Sequence, residues 1–281
     1  MAGITIGVLH PGEMGSAMGA AARAGGSRVL WASEGRGSTS RERAGAAGLE
    51  DAGTLAELVG RSDVIFSVCP PHAAIDVARA VGALGFSGIY VDANAVSPAT
   101  AREIGTIVEK GGAAFVDGGI VGPPPRARGT TRLYLSGPGA SRVAALFAVG
   151  PLEAIALEGG PGIASALKMA YAAWTKGTSA LLMAVRALAI AEGVDEALRR
   201  EWERSQPELP ARSEAAVKAN AGKAWRFVGE MEEIAATFAG AGLPDGFYQA
   251  AAEIYRRLAG YKDAATPPGV AEVARALAKR L

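Results

Sequence analysis

The sequence has one cysteine, Cys69, and two histidines, His10 and His72. One thiol excludes an internal disulfide framework and any multi-thiolate metal site, and two imidazoles exclude a histidine-rich zinc site. No metal is expected. Neither sign of charge is in excess: 29 Lys+Arg against 28 Asp+Glu leave a net charge of +1. Such a chain has no overall field for nucleic acid or an anionic membrane, so neither is an expected partner. The start, MAGITIGVLHPGEMG, lacks the basic segment and cleavage pattern of a secretory leader. Lys, Arg or Glu interrupts every long apolar stretch, which argues against a bilayer span. A soluble cytoplasmic protein is the expectation. Repeats of solenoid period and low-complexity tails are also missing.

What is present is a chain of 281 residues, 49% hydrophobic and 20% charged, enough for a sizeable core in one or two domains. Glycine is abundant, with 38 residues against a usual ~7%, and it clusters at particular turns. The first half alternates nearly continuous apolar runs with Ala-rich helical patterns. Residues 4–9, 28–32, 63–69, 88–93, 114–121 and 131–136 read as strands. Residues 14–24, 40–46, 55–59, 72–84 and 98–110 read as helices. Apolar runs of this kind suit a parallel sheet covered on both faces, and the alternation predicts a doubly wound α/β sheet. After Gly159-Gly160-Pro161-Gly162 the strand signal stops. Residues 163–192 form one proline-free helical stretch of ~45 Å, followed by helical patterns at 196–203, 211–219, 225–240, 246–258 and 269–279. The expected plan is an α/β Rossmann-like dinucleotide-binding domain over 1–158. A long interdomain helix then joins it to an all-α substrate and dimerisation domain over 159–281.

The first strand leads into His10-Pro11-Gly12-Glu13-Met14-Gly15 and then a helix. In a G-x-G-x-x-G fingerprint the glycines allow a tight turn, close approach to pyrophosphate, and close helix–strand packing. Gly12 and Gly15 hold the second and third places, and His10 occupies the first. The turn is therefore read as a cofactor site formed by His10, Pro11, Gly12, Glu13 and Met14, with His10 beside the pyrophosphate rather than acting as a base. At the tip of the second strand, Ala32 stands where NAD-preferring sites usually place an acid. Ser33 and Arg36 could hold a 2′-phosphate there, while Glu34 argues the other way. NADP is the favoured cofactor, with NAD as the alternative.

Read together, the remaining strand ends are Cys69-Pro70-Pro71, Asp92-Ala93-Asn94-Ala95-Val96-Ser97-Pro98 and Asp117-Gly118-Gly119-Ile120-Val121-Gly122. The series resembles the β-hydroxyacid dehydrogenase superfamily, which includes 3-hydroxyisobutyrate and 6-phosphogluconate dehydrogenases. Residues 168–177 and 225–233 look most like a group with a phosphogluconate-dehydrogenase-like C-terminal domain. The resemblance implies that the Val68–Pro71 tip, with Cys69 and Pro70, flanks the nicotinamide ribose. It also implies that Asn94 and Ser97 line the junction of cofactor and substrate, with Val121 and Gly122 in the substrate-anchoring segment. Where the family has Ser-Gly-Gly, this chain has Val121-Gly122-Pro123. A hydroxyl and a flexible donor are lost.

Lys168 lies six residues after Gly162, the spacing of the family's catalytic lysine. Helical periodicity puts Thr175, Ser179 and Arg186 within about 20° of Lys168, a polar stripe read as facing a cavity. Hydride transfer to or from a carbon bearing oxygen needs an acid or base for the oxygen's proton, and a partly desolvated ammonium suits that task. The family's asparagine four residues on is Ala172 here, with Thr175 or Ser179 as substitute, neither reproducing an amide's paired donor and acceptor, and Tyr171 at the edge of the site. Tyr171 and Trp174 are expected to pack on neighbouring helices. Trp225, Phe227, Glu230 and Glu233 form a second cluster, read either as a closing element or as core aromatics with solvated acids.

The expected activity is hydride transfer between nicotinamide cofactor and a small β-hydroxy acid or its keto form, with Lys168 as general acid/base. The alternatives are an imine reductase acting on a non-carboxylate substrate, and a catalytically silent NADP-binding protein. A long apolar helix leading into a small Ala-rich domain also predicts a homodimer.

Overall fold

The computed structural model describes residues 3–262 and 264–278. An eight-stranded sheet carries the first part of the chain, in the order β3-β2-β1-β4-β5-β6-β7-β8. The strands are β1 (Thr5–Val8), β2 (Arg28–Trp31), β3 (Glu50–Asp51), β4 (Val64–Ser67), β5 (Ile89–Asp92), β6 (Ala114–Val121), β7 (Thr131–Ser136) and β8 (Leu152–Ala156). All neighbours run parallel except β6 and β7, which pair antiparallel with Asp117 opposite Ser136. The first six strands thus have the dinucleotide-fold order, as expected. Alternate residues feed two cores. Val64 and Phe66 join Ile6, Val8, Trp31 and Val91 on one face, and Ile65 joins Leu30, Tyr90 and Phe115 on the other. Burial on both faces explains why these strands read as continuous apolar runs.

Local signals set the helices. These are α1 (Glu13–Ala24), α2 (Ser38–Ala46), α3 (Leu55–Arg61), α4 (Ala74–Ala83), α5 (Pro98–Lys110) and α6 (Ala140–Ala145). Thr54 and Glu57 form a capping box at α3, and Ser97 caps α5 ahead of Pro98 in its first turn. Two strands and one helix escaped the sequence reading. β3 is a charged two-residue edge, and β8 and α6 lie in a Gly- and Ala-rich stretch without a clear strand or helix period.

The long helix α7 runs from Ile163 to Ala191, followed by α8 (Asp195–Ser205), α9 (Leu209–Asn220), α10 (Ala224–Gly240), α11 (Gly246–Arg257) and α12 (Val270–Ala278). The expected end of the last helix at Lys279 lies outside the described residues. The chain forms two compact units, one through Met169 and one from Ala170, so the first turns of α7, including Lys168, belong with the sheet. Within the second unit the Phe227 ring meets Tyr255 edge-on at 5.3 Å, and the Tyr255 hydroxyl donates to the Lys176 carbonyl at 2.8 Å. Among the described residues no helix is long and apolar enough to cross a membrane.

Candidate functional site

Open α/β sheets bind ligands beyond the carboxyl ends of the strands, where the strand order reverses. Here that place lies between β1 and β4. The chain leaves β1 through a tight turn in which the Gly12 N–H donates to the His10 carbonyl at 2.9 Å. A Cβ on Gly15 would lie 2.1 Å from that same carbonyl, so α1 can start here only because Gly15 has no side chain. Gly12 differs. Its φ is −71°, open to any residue, and a Cβ there would meet nothing within 4 Å. Gly12 caps α1 with no side-chain hydrogen bond, so the first-turn N–H groups keep their anion-binding capacity. Glu13 stands exposed in that turn and competes with a bound anion. Pro11 is buried and Met14 half-buried.

Burial, and next the Arg36 charge, holds the His10 pKa down at about 4, so the ring is neutral near pH 7. Its Nδ1 is buried without a hydrogen-bond partner among the described residues. At the tip of β2, Arg36 Nη2 donates to the Leu9 carbonyl at 3.3 Å and Arg41 Nη2 to the Ser33 carbonyl at 3.0 Å. Ser33 is buried and Glu34 exposed. Arg41 lies beside this strand tip and was not singled out from the sequence. Its place in the first turns of α2, directly after the β2 tip, was the available signal. Empty space over Gly12, an orphaned ring nitrogen and two guanidiniums at the β2 tip fit a dinucleotide: pyrophosphate over the turn, adenosine ribose at Arg36 and Arg41.

The tips of β4 and β5 are tied to each other. Asn94 Oδ1 accepts from the Cys69 N–H at 2.5 Å, while Asn94 Nδ2 donates to Ser67 Oγ at 3.0 Å and to the Asp92 carboxylate. Asn94 therefore lies at the expected strand end with its amide engaged in holding two tips together. Burial pushes the Cys69 thiol up to about 12, which keeps it protonated and unreactive. Pro70 is exposed and leads into a single 3-10 turn, Pro71–Ala73, that carries the exposed His72. The Ser97 hydroxyl accepts from the Thr100 N–H at 3.2 Å, a helix cap at the position expected to meet substrate.

The junction of β6 and α7 is the most densely bonded part of the site. Asp117 is fully buried. Its Oδ2 accepts from Ser136 Oγ at 3.0 Å, the Gly162 N–H at 2.9 Å and the Ser165 N–H at 3.0 Å, and its Oδ1 accepts from Ser165 Oγ at 2.6 Å. A buried carboxylate with four donors fastens the start of α7 to the middle of β6. One turn later, a Cβ on Gly119 would lie 2.6 Å from the Ala164 carbonyl and 2.9 Å from Lys168 Cβ. The lysine stem thus lies directly against β6. This strand is three intervals from β1, roughly 14 Å at usual strand spacing. In the sequence Asp117 stands out only as the first residue of the strand-end motif. An acid inside an apolar strand was the signal for its anchoring role. Val121 is buried at the end of β6, and Gly122 turns the chain with φ +121°.

In the second unit the Thr175 hydroxyl donates to the Tyr171 carbonyl at 3.2 Å and Ser179 Oγ to the Thr175 carbonyl at 3.0 Å. Arg186 corrects the reading of a polar stripe facing a cavity. It is buried, paired with Asp195 at 2.6 and 3.0 Å, and donates to Ser213 Oγ at 2.7 Å. Periodicity placed it on a face but could not show that α8 and α9 supply its partners. Nor do Tyr171 and Trp174 pack on neighbouring helices: both are exposed. Glu230 pairs with Lys176 at 2.6 Å beside the Phe227 ring, and Lys262 sits over Trp225. Among the described residues no group of three or more His, Cys, Asp or Glu could hold a metal ion.

A family model described as the NAD binding domain of 6-phosphogluconate dehydrogenase matches residues 5–149, and a domain of unknown function, DUF1932, matches residues 189–258. An uncharacterised 28.5 kDa protein of Methanothermus fervidus is 36% identical over 144 residues, 50% of this chain and 54% of that protein. The chain spans about half the length of this curated relative. Among solved structures, a conserved protein of unknown function with structural similarity to 3-hydroxyacid dehydrogenases is 28% identical. It aligns over 92% of this chain and 98% of that one, with a TM-score of 0.69. 3-Hydroxyisobutyrate dehydrogenase of Mycobacterium tuberculosis, solved with L-serine, shares the fold at 18% identity and TM-score 0.69, over 99% and 100% of the two chains. An imine reductase of Streptomyces aurantiacus shares it at 21% identity and TM-score 0.54, over 98% and 100%.

Proposed function

The chain belongs to the β-hydroxyacid dehydrogenase superfamily, with the NAD-binding domain of 6-phosphogluconate dehydrogenase, and from that premise we propose an NADP-dependent oxidoreductase of small β-hydroxy acids or their keto forms. The observation that carries the reading is Lys168 seated on β6 at Gly119 by the Asp117 knot, at the ligand-binding end of the sheet. A nicotinamide dinucleotide, when bound, supplies or accepts the hydride. The α1 N-terminus and Gly12 hold the pyrophosphate, Ser33, Arg36 and Arg41 the adenosine end, and the backbone at Val68–Pro70 the nicotinamide ribose. Lys168 Nζ donates a proton to the carbonyl oxygen when the carbon is reduced, and takes it back when the hydroxyl is oxidised. Ala172 stands where the family has asparagine, and the Lys168 stem packs against β6 at Gly119.

NADPH is favoured over NADH because two guanidiniums, Arg36 and Arg41, converge at the β2 tip while Glu34 stays exposed. Calorimetric titration of both cofactors checks this, and equal affinity would move control of the pocket to Glu34. Initial rates with NADPH and NADP against hydroxy acids, keto acids and cyclic imines test the activity. Turnover of imines alone would favour the second reading, an imine reductase, for which Val121-Gly122-Pro123 in place of Ser-Gly-Gly speaks. A homodimer belongs to the same proposal. Trp174, Leu181 and Leu188, seven residues apart on α7, are 68%, 46% and 63% exposed. Light scattering at micromolar concentration decides between dimer and monomer.

A further inference from the structure

In the sheet register Ser67 of β4 stands beside Asp92 of β5, Asp92 beside Asp117 of β6, and Asp117 opposite Ser136 of β7. All four are fully buried. One rung across four strands is therefore polar, where its neighbour, Phe66–Val91–Val116, is apolar. The two aspartates of this rung fasten different parts of the site. Asp117 holds the start of α7. Asp92 accepts from Asn94 Nδ2, and Asn94 Oδ1 accepts from the Cys69 N–H at 2.5 Å, so Asp92 reaches the tip of β4 through one side chain.

A carboxylate oxygen beside an amide selects its NH2 end, and Ser67 Oγ accepts the second hydrogen at 3.0 Å. The oxygen end of Asn94 is thereby turned to Cys69. The result at the β4 tip is a run of chain without free donors. The Cys69 N–H is engaged by Asn94, and Pro70 and Pro71 have no N–H. The Pro70 and Pro71 carbonyls close the 3-10 turn onto the N–H groups of Ala73 and Ala74. Among the described residues nothing donates to the Val68 and Cys69 carbonyls. Two unused acceptors, with no free donor on the three residues 69–71, suit a ligand that offers hydroxyls.

We propose that Asp92 is a positioning residue for the nicotinamide half of the cofactor. Fully buried, it touches no ligand, and through Asn94 it holds the β4 tip as an acceptor seat for the hydroxyls of the nicotinamide ribose. The assignment rests on the placing of that ribose at Val68–Pro70 above, and needs neither a substrate nor hydride transfer. In Asp92→Asn an amide replaces the carboxylate, and an amide accepts either end of Asn94. The constraint that keeps Asn94 Oδ1 on the Cys69 N–H is then gone.

The full chain is titrated by calorimetry with NADPH and with adenosine 2′,5′-bisphosphate, which lacks the nicotinamide ribose. For NADH the matching pair is NADH and adenosine diphosphate. Asp92→Asn should weaken the dinucleotide about tenfold and leave the adenosine ligand within about twofold. The fluorescence of bound NADPH, which reports the surroundings of the nicotinamide, should change with it. Asn94→Ala removes the acceptor of the Cys69 N–H directly and should give the same split, so it carries the test if Asp92→Asn does not fold. Equal weakening of both ligands in the folded variants would assign Asp92 to the fold alone and overturn the proposal, as would unchanged dinucleotide affinity. Wild type that binds neither dinucleotide would overturn the cofactor reading and the proposal with it. The predicted split without turnover of any substrate supports the proposal and counts against hydride transfer alone.

Discussion

Gly12 and Gly119 both lie where a strand meets a helix, and their surroundings are opposite. A Cβ on Gly12 would find empty space, whereas one on Gly119 would collide with the Ala164 carbonyl and the Lys168 stem. The first glycine faces open space, which the proposed cofactor would use, and the second serves the chain's own packing. The same contrast extends to the polar groups around them. The β1–α1 turn keeps an orphaned His10 nitrogen and uncapped N–H groups, while every oxygen of Asp117 at the β6–α7 junction is bonded. Unused hydrogen-bonding capacity marks the binding end, and complete satisfaction marks the element that positions the lysine.

The largest effect belongs to Lys168→Met, which keeps the apolar stem against Gly119 and removes only the protonatable head. Turnover should fall by roughly 10²–10⁴-fold with cofactor affinity nearly unchanged, and the pH–rate profile should lose one limb. Near-normal turnover would remove the lysine from the chemistry. Asp117→Ala should come next, costing about 3–4 kcal/mol in denaturant unfolding, because it strands buried N–H groups at the start of α7. If the cost were under about 1 kcal/mol, the junction would not be the anchor described.

His10 gives a pH signature. Unfolded, it takes up its proton near the usual 6.5, and folded only near 4. Between those values the unfolded state holds more protons, so stability should fall as pH drops from 6.5 to 4, by about 3 kcal/mol in total. His10→Leu should flatten that part of the stability curve, and an unchanged slope would assign the acid sensitivity elsewhere. The smallest effect tests the comparison itself. Gly119→Ala should destabilise by about 1–3 kcal/mol, and Gly12→Ala by less than about 0.5 kcal/mol while weakening NADPH binding about tenfold. Equal destabilisation by the two would erase the distinction.

Much of this was legible in the sequence. β6, β7 and α5 have the bounds their patterns predicted, because a doubly buried strand and a capped, Pro-started helix each carry a strong local signal. The strand ends could be lined up because each is followed by a turn motif. What was not legible depends on partners distant in sequence. Asp117 finds its donors 45 and 48 residues away, and Arg186 its second partner 27 residues on. Periodicity assigns a residue to a helix face, but only tertiary packing decides whether that face meets a cavity, a carboxylate or water. For the same reason Arg36 was read from its place at a strand tip, and Arg41, inside a helix, was not.

The most direct test of the account is deuteride transfer. The chain is mixed with NADPH deuterated at the nicotinamide C4 and a panel of β-keto acids, and the products are examined by mass spectrometry. The account predicts a β-hydroxy acid carrying one deuterium at its reduced carbon, formed by the wild type and lost in Lys168→Met. NADPH bound at the β1–α1 turn, with no deuterium in a hydroxy acid from any member of the panel, would contradict it.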